Sequence, residues 1–266
     1  MFQIYPTGVP AKVTLDQGPQ SSRRDIPLGT QATDGIRKFR WGHIAGAKYH
    51  PGRVVVQSTT QKEIGTAYFA SCRRQDGTRT HGAVGDIDVT LTSAILMSAN
   101  RYVDGTMDIV SGVGKGHSYG IDSYAGPGVS GKRTLVRLKS PLAARLSTNT
   151  QAVLSPNPYY GLHLGGAVLT LNAGVLQPMG ACTGSDGAIG DASGYQWLQV
   201  TGNGVAYASA VLVAGRLLTV GLSGCVTHAL STNTSSVALA KMVVARAHQA
   251  RTIVETYVAC EWLIEK

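Results

Sequence analysis

Apolar and polar side chains trade places at every second residue in Asp86-Ile87-Asp88-Val89-Thr90-Leu91-Thr92, the pattern of a strand with one buried face. The β-branched run Arg53-Val54-Val55-Val56 and the segments Thr134-Leu135-Val136-Arg137-Leu138 and Gln151-Ala152-Val153-Leu154 continue the series. Arg101-Tyr102-Val103 and Thr106-Met107-Asp108-Ile109-Val110 read as two strands joined by Asp104-Gly105, a pair that suits a type I′ turn. Further turn signals stand at Asp34-Gly35, Asp76-Gly77, Asp186-Gly187 and Asn203-Gly204. Short strands punctuated at roughly ten-residue intervals predict an all-β protein of sandwich-like or barrel-like domains.

Helical patterning is scarce. Residues 235–249 place Val237, Leu239, Met242, Val243 and Ala247 along one helical face. The β-branched segment 251–264 offers 242–247 a strand partner instead, and a closing hairpin across His248-Gln249-Ala250 is the preferred reading.

The first 28 residues have a different texture. Pro6, Pro10, Pro19 and Pro27 recur among Gly8, Gly18, Ser21 and Ser22. Proline fixes φ and donates no backbone hydrogen bond, so this stretch runs extended. Phe2, Ile4, Tyr5, Val9 and Val13 are too apolar for a free linker and predict an arm that lies along another surface. A glycine- and proline-marked stretch over 156–166 then separates two halves of similar texture. The expected organisation is an arm over 1–28, a β-rich domain over 29–165 and a second over 166–266.

Composition narrows the function classes. Glycine supplies 33 of the 266 residues, about 12% against a usual ~7%. Only 15% of residues are charged, while 43% are hydrophobic. No run approaches the ~20 apolar residues of a membrane helix, and no membrane partner is expected. The first residues lack the basic region and long apolar core of a secretion signal, and a protein made in a reducing cytoplasm is expected. The net charge of +9 attracts acidic partners. Its basic residues are scattered, apart from Arg23-Arg24, Arg37-Lys38-Phe39-Arg40 and Lys132-Arg133, rather than gathered on one stripe. That distribution favours an acidic protein over direct nucleic-acid binding.

Chemistry-bearing patterns are weak. Cys72, Cys182, Cys225 and Cys260 form no CxxC pair, and the seven histidines form no HxH or HExxH. Neither metal nor cofactor is expected, and the cysteines read as small buried thiols. Gly112-Val113-Gly114-Lys115-Gly116-His117-Ser118 is superficially similar to a phosphate loop, but its spacing is wrong and a strand follows, so it reads as a β-turn. No GxSxG elbow presents a serine. Asp86, Asp88, Asp104 and Asp108 are the acidic groups a glycosidase would need, and they read as solvated strand faces. Tyr159-Tyr160 reads as a core or interface anchor.

Three segments resemble a family of tailed-bacteriophage capsid decoration, or cement, proteins. The first is Leu28-Gly29-Thr30 with Asp34-Gly35-Ile36-Arg37-Lys38-Phe39-Arg40-Trp41, followed by Ala45-Gly46 and Gly52-Arg53-Val54-Val55-Val56. The second runs from Ala99-Asn100-Arg101-Tyr102-Val103-Asp104-Gly105 through Gly114-Lys115-Gly116-His117-Ser118-Tyr119-Gly120-Ile121, with Pro141-Leu142 and Ser155-Pro156-Asn157-Pro158-Tyr159 beyond. The third is Gly194-Tyr195-Gln196-Trp197-Leu198-Gln199-Val200-Thr201-Gly202 and the valine-rich segments leading to Trp262. Together they span most of residues 28–263. The arm is longer and richer in proline than the family pattern.

The resemblance implies a non-enzymatic, all-β virion protein on the capsid surface, made in the host cytoplasm. It also implies major capsid protein as partner and assembly as a homotrimer. Phe2, Ile4, Tyr5, Arg23, Arg24, Arg37 and Arg40 are then the expected capsid contacts: the apolar three as anchors, the arginines as partners for carboxylates. A tail, head–tail or receptor-binding β module, and a glycan-degrading virion enzyme, are the alternatives.

Overall fold

A computed structural model describes residues 2–4, 12–13, 26–33, 35–45, 52–57, 63–74, 79–80, 82–93, 99–125, 133–164, 172–176, 194–220, 225–228, 243–250 and 256–264. The protein is all-β, with no helix among the described residues. The strands begin with β1 (Phe2–Ile4), β2 (Lys12–Val13), β3 (Gln31–Thr33), β4 (Lys38–Ile44) and β5 (Val54–Val56). Then follow β6 (Glu63–Arg74), β7 (Arg79–Thr80), β8 (Asp86–Ser93), β9 (Thr106–Ser111), β10 (Ser118–Tyr124), β11 (Arg133–Leu138) and β12 (Gln151–Ser155). The remainder are β13 (His163–Leu164), β14 (Asn172–Leu176), β15 (Gly194–Ala208), β16 (Leu217–Val220), β17 (Val226–His228), β18 (Val243–Ala247) and β19 (Thr256–Leu263).

The chain forms two compact units, and the division differs from the one read in the sequence. Residues 60–158 form one unit, inserted into a second made of 1–59 and 159–266. The stretch at 156–166 is therefore where the chain leaves the insert, not where a C-terminal domain starts. The entry into the insert, near Thr59 and Thr60, carries no comparable glycine and proline marking.

The inserted unit is a closed antiparallel barrel. Its strands run in the order β12-β9-β10-β11-β8-β6, and β6 pairs back with β12 while β7 extends β6. Closure leaves no open edge in the ring, so its ladder hydrogen bonds are satisfied within the unit. Alternation does the rest. In β11, Thr134, Val136 and Leu138 point inward while Arg133, Leu135 and Arg137 point outward. The interior is filled by Val89, Leu91, Met107, Ile109, Ile121 and Leu154 with the rings of Tyr102 and Tyr124, 4.9 Å apart and edge to face. Each such side chain contributes roughly 1.5–3 kcal/mol on burial.

One expectation fails here. Arg101, Tyr102 and Val103 are not a strand but part of a turn ahead of β9, tied to β10 by Asn100 N donating to Tyr124 O and Asp104 N to Ile121 O. Asn100 (φ 65°) and Asp104 (φ 60°) adopt the left-handed conformation, which drops the Tyr102 ring and Val103 into the core. Asp104-Gly105 does form a turn, but it feeds one strand rather than joining two. By contrast Gly112-Val113-Gly114-Lys115-Gly116-His117 is the β9–β10 turn, as expected, with Gly112, Gly114 and Gly116 all at positive φ.

The larger unit is organised around β15. The first half of β15 pairs with β4 and β14, and β14 continues to β5 and β13. Ile44 bridges Leu162 and returns that path to β4, enclosing Ile44, Val55, Leu162, Leu176 and Leu198. The second half pairs with β19, followed by β18, β16 and β17, and Val226 of β17 meets Ala208 at the end of β15. Val220, Val226, Val244, Val258, Cys260 and Trp262 fill that interior. β18 and β19 do pair antiparallel, but the turn is not the three-residue one read at His248-Gln249-Ala250. Ala247 stands opposite Cys260 and His248 N donates to Ala259 O at 2.9 Å, so the ladder continues past that point.

Asn203-Gly204, read as a turn, instead lies inside the 15-residue β15. The chain bends just before it. Gly202 has φ +94°, and the pairing with β4 slips between Gln199 and Thr201. The buried Gln199 amide fastens this bulge, its Nε2 donating to the carbonyls of Thr201, Gly202 and Asn203 at 3.2, 3.1 and 3.0 Å. Gly204 is small for a different reason. A Cβ there would sit 2.8 Å from both Gln199 Oε1 and Trp262 Nε1.

Candidate functional site

The residues expected to contact a partner are only partly brought together. Phe2 and Ile4 lie on β1, whose backbone pairs with β2 (Phe2 opposite Val13) and β3 (Ile4 opposite Ala32). At those positions the arm forms the margin of its own unit's sheet. Tyr5, Arg23 and Arg24 lie outside the described residues. Arg37 and Arg40 share the β3–β4 hairpin. The Arg37 guanidinium lies 5.4 Å above the Phe39 ring, and Arg40 Nη1 donates to the Gly29 carbonyl at 2.9 Å. Arg40 thereby ties the 26–30 segment to β4, a structural duty that its charge alone did not reveal.

That hairpin is rigid for identifiable reasons. Thr33 Oγ1 accepts from Gly35 N at 3.0 Å and donates to Arg37 O at 2.9 Å, and Gly35 takes φ +94°. Beneath it an aromatic cluster covers β4 and β15. Trp41 stands 5.0 Å from Trp197 and 6.4 Å from Tyr195, while His43 stacks on Tyr160 at 4.8 Å. Tyr159 and Tyr160 pack against this cluster half-buried, so the Tyr159-Tyr160 pair serves as a core anchor.

Asp86 and Asp88 are not solvated strand faces, whereas Asp104, in the turn before β9, and Asp108, on β9, are half-buried and bonded at the surface. Asp86 is fully buried, its Oδ2 accepting from Ala83 N at 2.8 Å. Asp88 is buried beside Arg137 Nε at 3.5 Å, across the β8–β11 ladder. Asp104 accepts from Lys139 Nζ at 2.6 Å, and Asp108 accepts from Ser118 Oγ at 2.6 Å and Thr106 Oγ1 at 3.1 Å. Asp88 and Asp108 sit on β8 and β9, three strands apart whichever way the closed ring is followed, so they stand on opposite sides of the barrel rather than as a facing pair. Asp86 and Asp88 share one face of β8, but Asp86 is closed off from solvent.

Two thiols are described. Neither Cys225 nor Cys260 is in a disulfide, and both are buried, as small core residues are expected to be. Burial pushes the Cys260 thiol up from 9.0 to about 12. Among the described residues no three His, Cys, Asp or Glu side chains gather as a metal site requires.

The surface feature that sequence reasoning missed is an aliphatic ledge between β15 and β16. Val211 and Val213 are 49% and 51% exposed on either side of the buried Leu212, and Leu217 is 38% exposed. The alternation around Leu212 was visible in Val211-Leu212-Val213, but periodicity does not say which face meets solvent. Arg216 stands exposed at the same turn, and Arg246 lies directly across from Leu217.

Compared with known proteins, the chain matches no protein-family model, no curated protein and no solved structure.

Proposed function

We propose that the chain is a non-enzymatic virion structural protein that binds the outside of a phage capsid and stabilises it by bridging major capsid protein subunits. The observation that carries this reading is the placement of its polar groups. Asp86, Asp88, Asp104 and Asp108 each hold a partner within the barrel, while aliphatic and cationic side chains face solvent on the larger unit. Such a surface suits adhesion, because buried apolar area and charge complementarity join proteins without reacting groups. The net charge of +9 favours an acidic shell.

Two further features support the reading. Circular closure stiffens the barrel, and the braced β3–β4 turn stiffens its own part of the larger unit; stiff parts of this kind suit a bridging element under load. The family resemblance over residues 28–263 points the same way. The test adds the purified chain to capsid shells that lack it. Saturable sedimentation with the shells, together with a raised temperature of shell disruption, is the expected result. A chain that stays in the supernatant at every concentration overturns the reading.

A further inference from the structure

We propose that the ledge of Val211, Val213 and Leu217 is the docking element of the larger unit, and that it seats in an apolar pocket edged by carboxylates on the shell protein. This rests on the capsid reading above and names the surface that performs it.

The ledge is a built feature rather than a loose loop. Leu212 is buried in the β15–β19 interior and pins the segment from within. Gly215 N donates to Ala247 O at 2.8 Å, and Ala247 N donates to Arg216 O at 3.0 Å. Gly215 takes φ +76°, which lets the chain reverse between Val213 and Leu217. Three aliphatic side chains are thus held in solvent by a fixed backbone. Isolated exposed apolar residues are ordinary on a protein surface, but a preorganised group of them marks a contact site. A rigid ledge also loses little entropy on docking.

Charge selects the occupant. Arg216 stands on the reversal and Arg246 opposite Leu217, giving an apolar centre with a cationic margin. Glu261 faces Arg246 from β19 and offsets part of that margin, which leaves Arg216 as its main charge. A second copy would set Arg216 and a +9 body against their like, so self-docking through this ledge is disfavoured. A lipid surface is disfavoured too, because the ledge has no Trp or Tyr of the kind that anchors at a membrane interface. An acidic protein surface with an apolar pocket matches both halves of the pattern.

The experiment measures sedimentation of the full chain with shells that lack it, for the wild type and three variants. Val213→Asp places a charge in the contact and is expected to weaken binding about tenfold or more. The double variant Val211→Ser/Leu217→Ser gives a smaller loss without adding charge. Arg216→Glu weakens binding most at low salt. All four substituted side chains face solvent, so melting temperatures are expected to match the wild type. If the wild type binds and the aliphatic variants bind equally well, the ledge assignment falls while the capsid reading stands. If the wild type does not bind, both fall. Wild-type binding to phosphatidylcholine–phosphatidylglycerol vesicles that Val213→Asp abolishes, or a self-associated species that Val213→Asp dissolves, also overturns the assignment.

Discussion

Replacing Gly202 by alanine tests the bend in β15 on which the larger unit is organised. The backbone there has φ +94°, a left-handed conformation that costs an L side chain about 1–2 kcal/mol. The new Cβ would also lie 2.7 Å from Ile36 O and 3.1 Å from Arg37 Cα, both backbone atoms of the β3–β4 turn. Crowding of that kind adds about 1–3 kcal/mol. A combined loss of about 3 kcal/mol moves a urea midpoint by about 1 M or more at typical slopes. Gly35→Ala is the matched control, because Gly35 has the same φ of +94° but nothing within 4 Å of its Cβ position. It should lose the strain component alone. Tryptophan emission during urea unfolding is the assay, since Trp41, Trp197 and Trp262 all belong to the larger unit. Equal midpoints for Gly202→Ala and Gly35→Ala would refute the claim that the bulge is packed against the hairpin.

Three further outcomes follow from other parts of the molecule. The unfolded Cys260 thiol loses its proton near pH 9, while the folded one holds it to about 12. In that window the folded state binds the extra proton, so stability falls as pH rises, by at most about 1.4 kcal/mol per pH unit. A Cys260→Ala variant should show a shallower decline between pH 9 and 11, and parallel curves would count against it. Asp86→Ala removes the acceptor for Ala83 N and should cost about 1–3 kcal/mol by circular dichroism in urea; an unshifted midpoint would mean the buried carboxylate is idle. Deleting residues 1–25 removes β1 and β2 and should lower shell occupancy, whereas undiminished occupancy would confine the contact to the β body.

The sequence disclosed strands better than it disclosed their partners. In β8, β11 and β12 one face is apolar and the other polar, because each lines a barrel on one side only, so a period of two was legible. β15 is different. From Gly194 to Val200 it is buried on both faces, and its bulge puts the bend at Gly202 rather than at the Asn-Gly pair that follows. Local propensity cannot separate a glycine that turns the chain from one, like Gly204, that makes room for Trp262. The inserted barrel was invisible for a related reason. Its closure joins β6 to β12, far apart in the chain, through backbone ladders that leave no residue signature.

The aspartates show the same limit on the chemical side. An alternating Asp86-Ile87-Asp88 suggests an exposed polar face, yet the outward positions of β8 are covered and both carboxylates are buried. Arg37 and Arg40 were identified as a pair, and the fold does place them on one hairpin. Nothing in their spacing separated the arginine that binds Gly29 from the one that lies over Phe39.

Adhesion to an assembled shell is most directly tested by counting. Quantitative mass spectrometry of purified particles, scaled to the major shell protein, gives the copies of this chain per virion. Hundreds of copies, in a fixed ratio to the shell subunit, are the expected result. About a dozen or fewer would place the chain at a tail or portal vertex instead, and its absence from particles would remove it from the virion altogether.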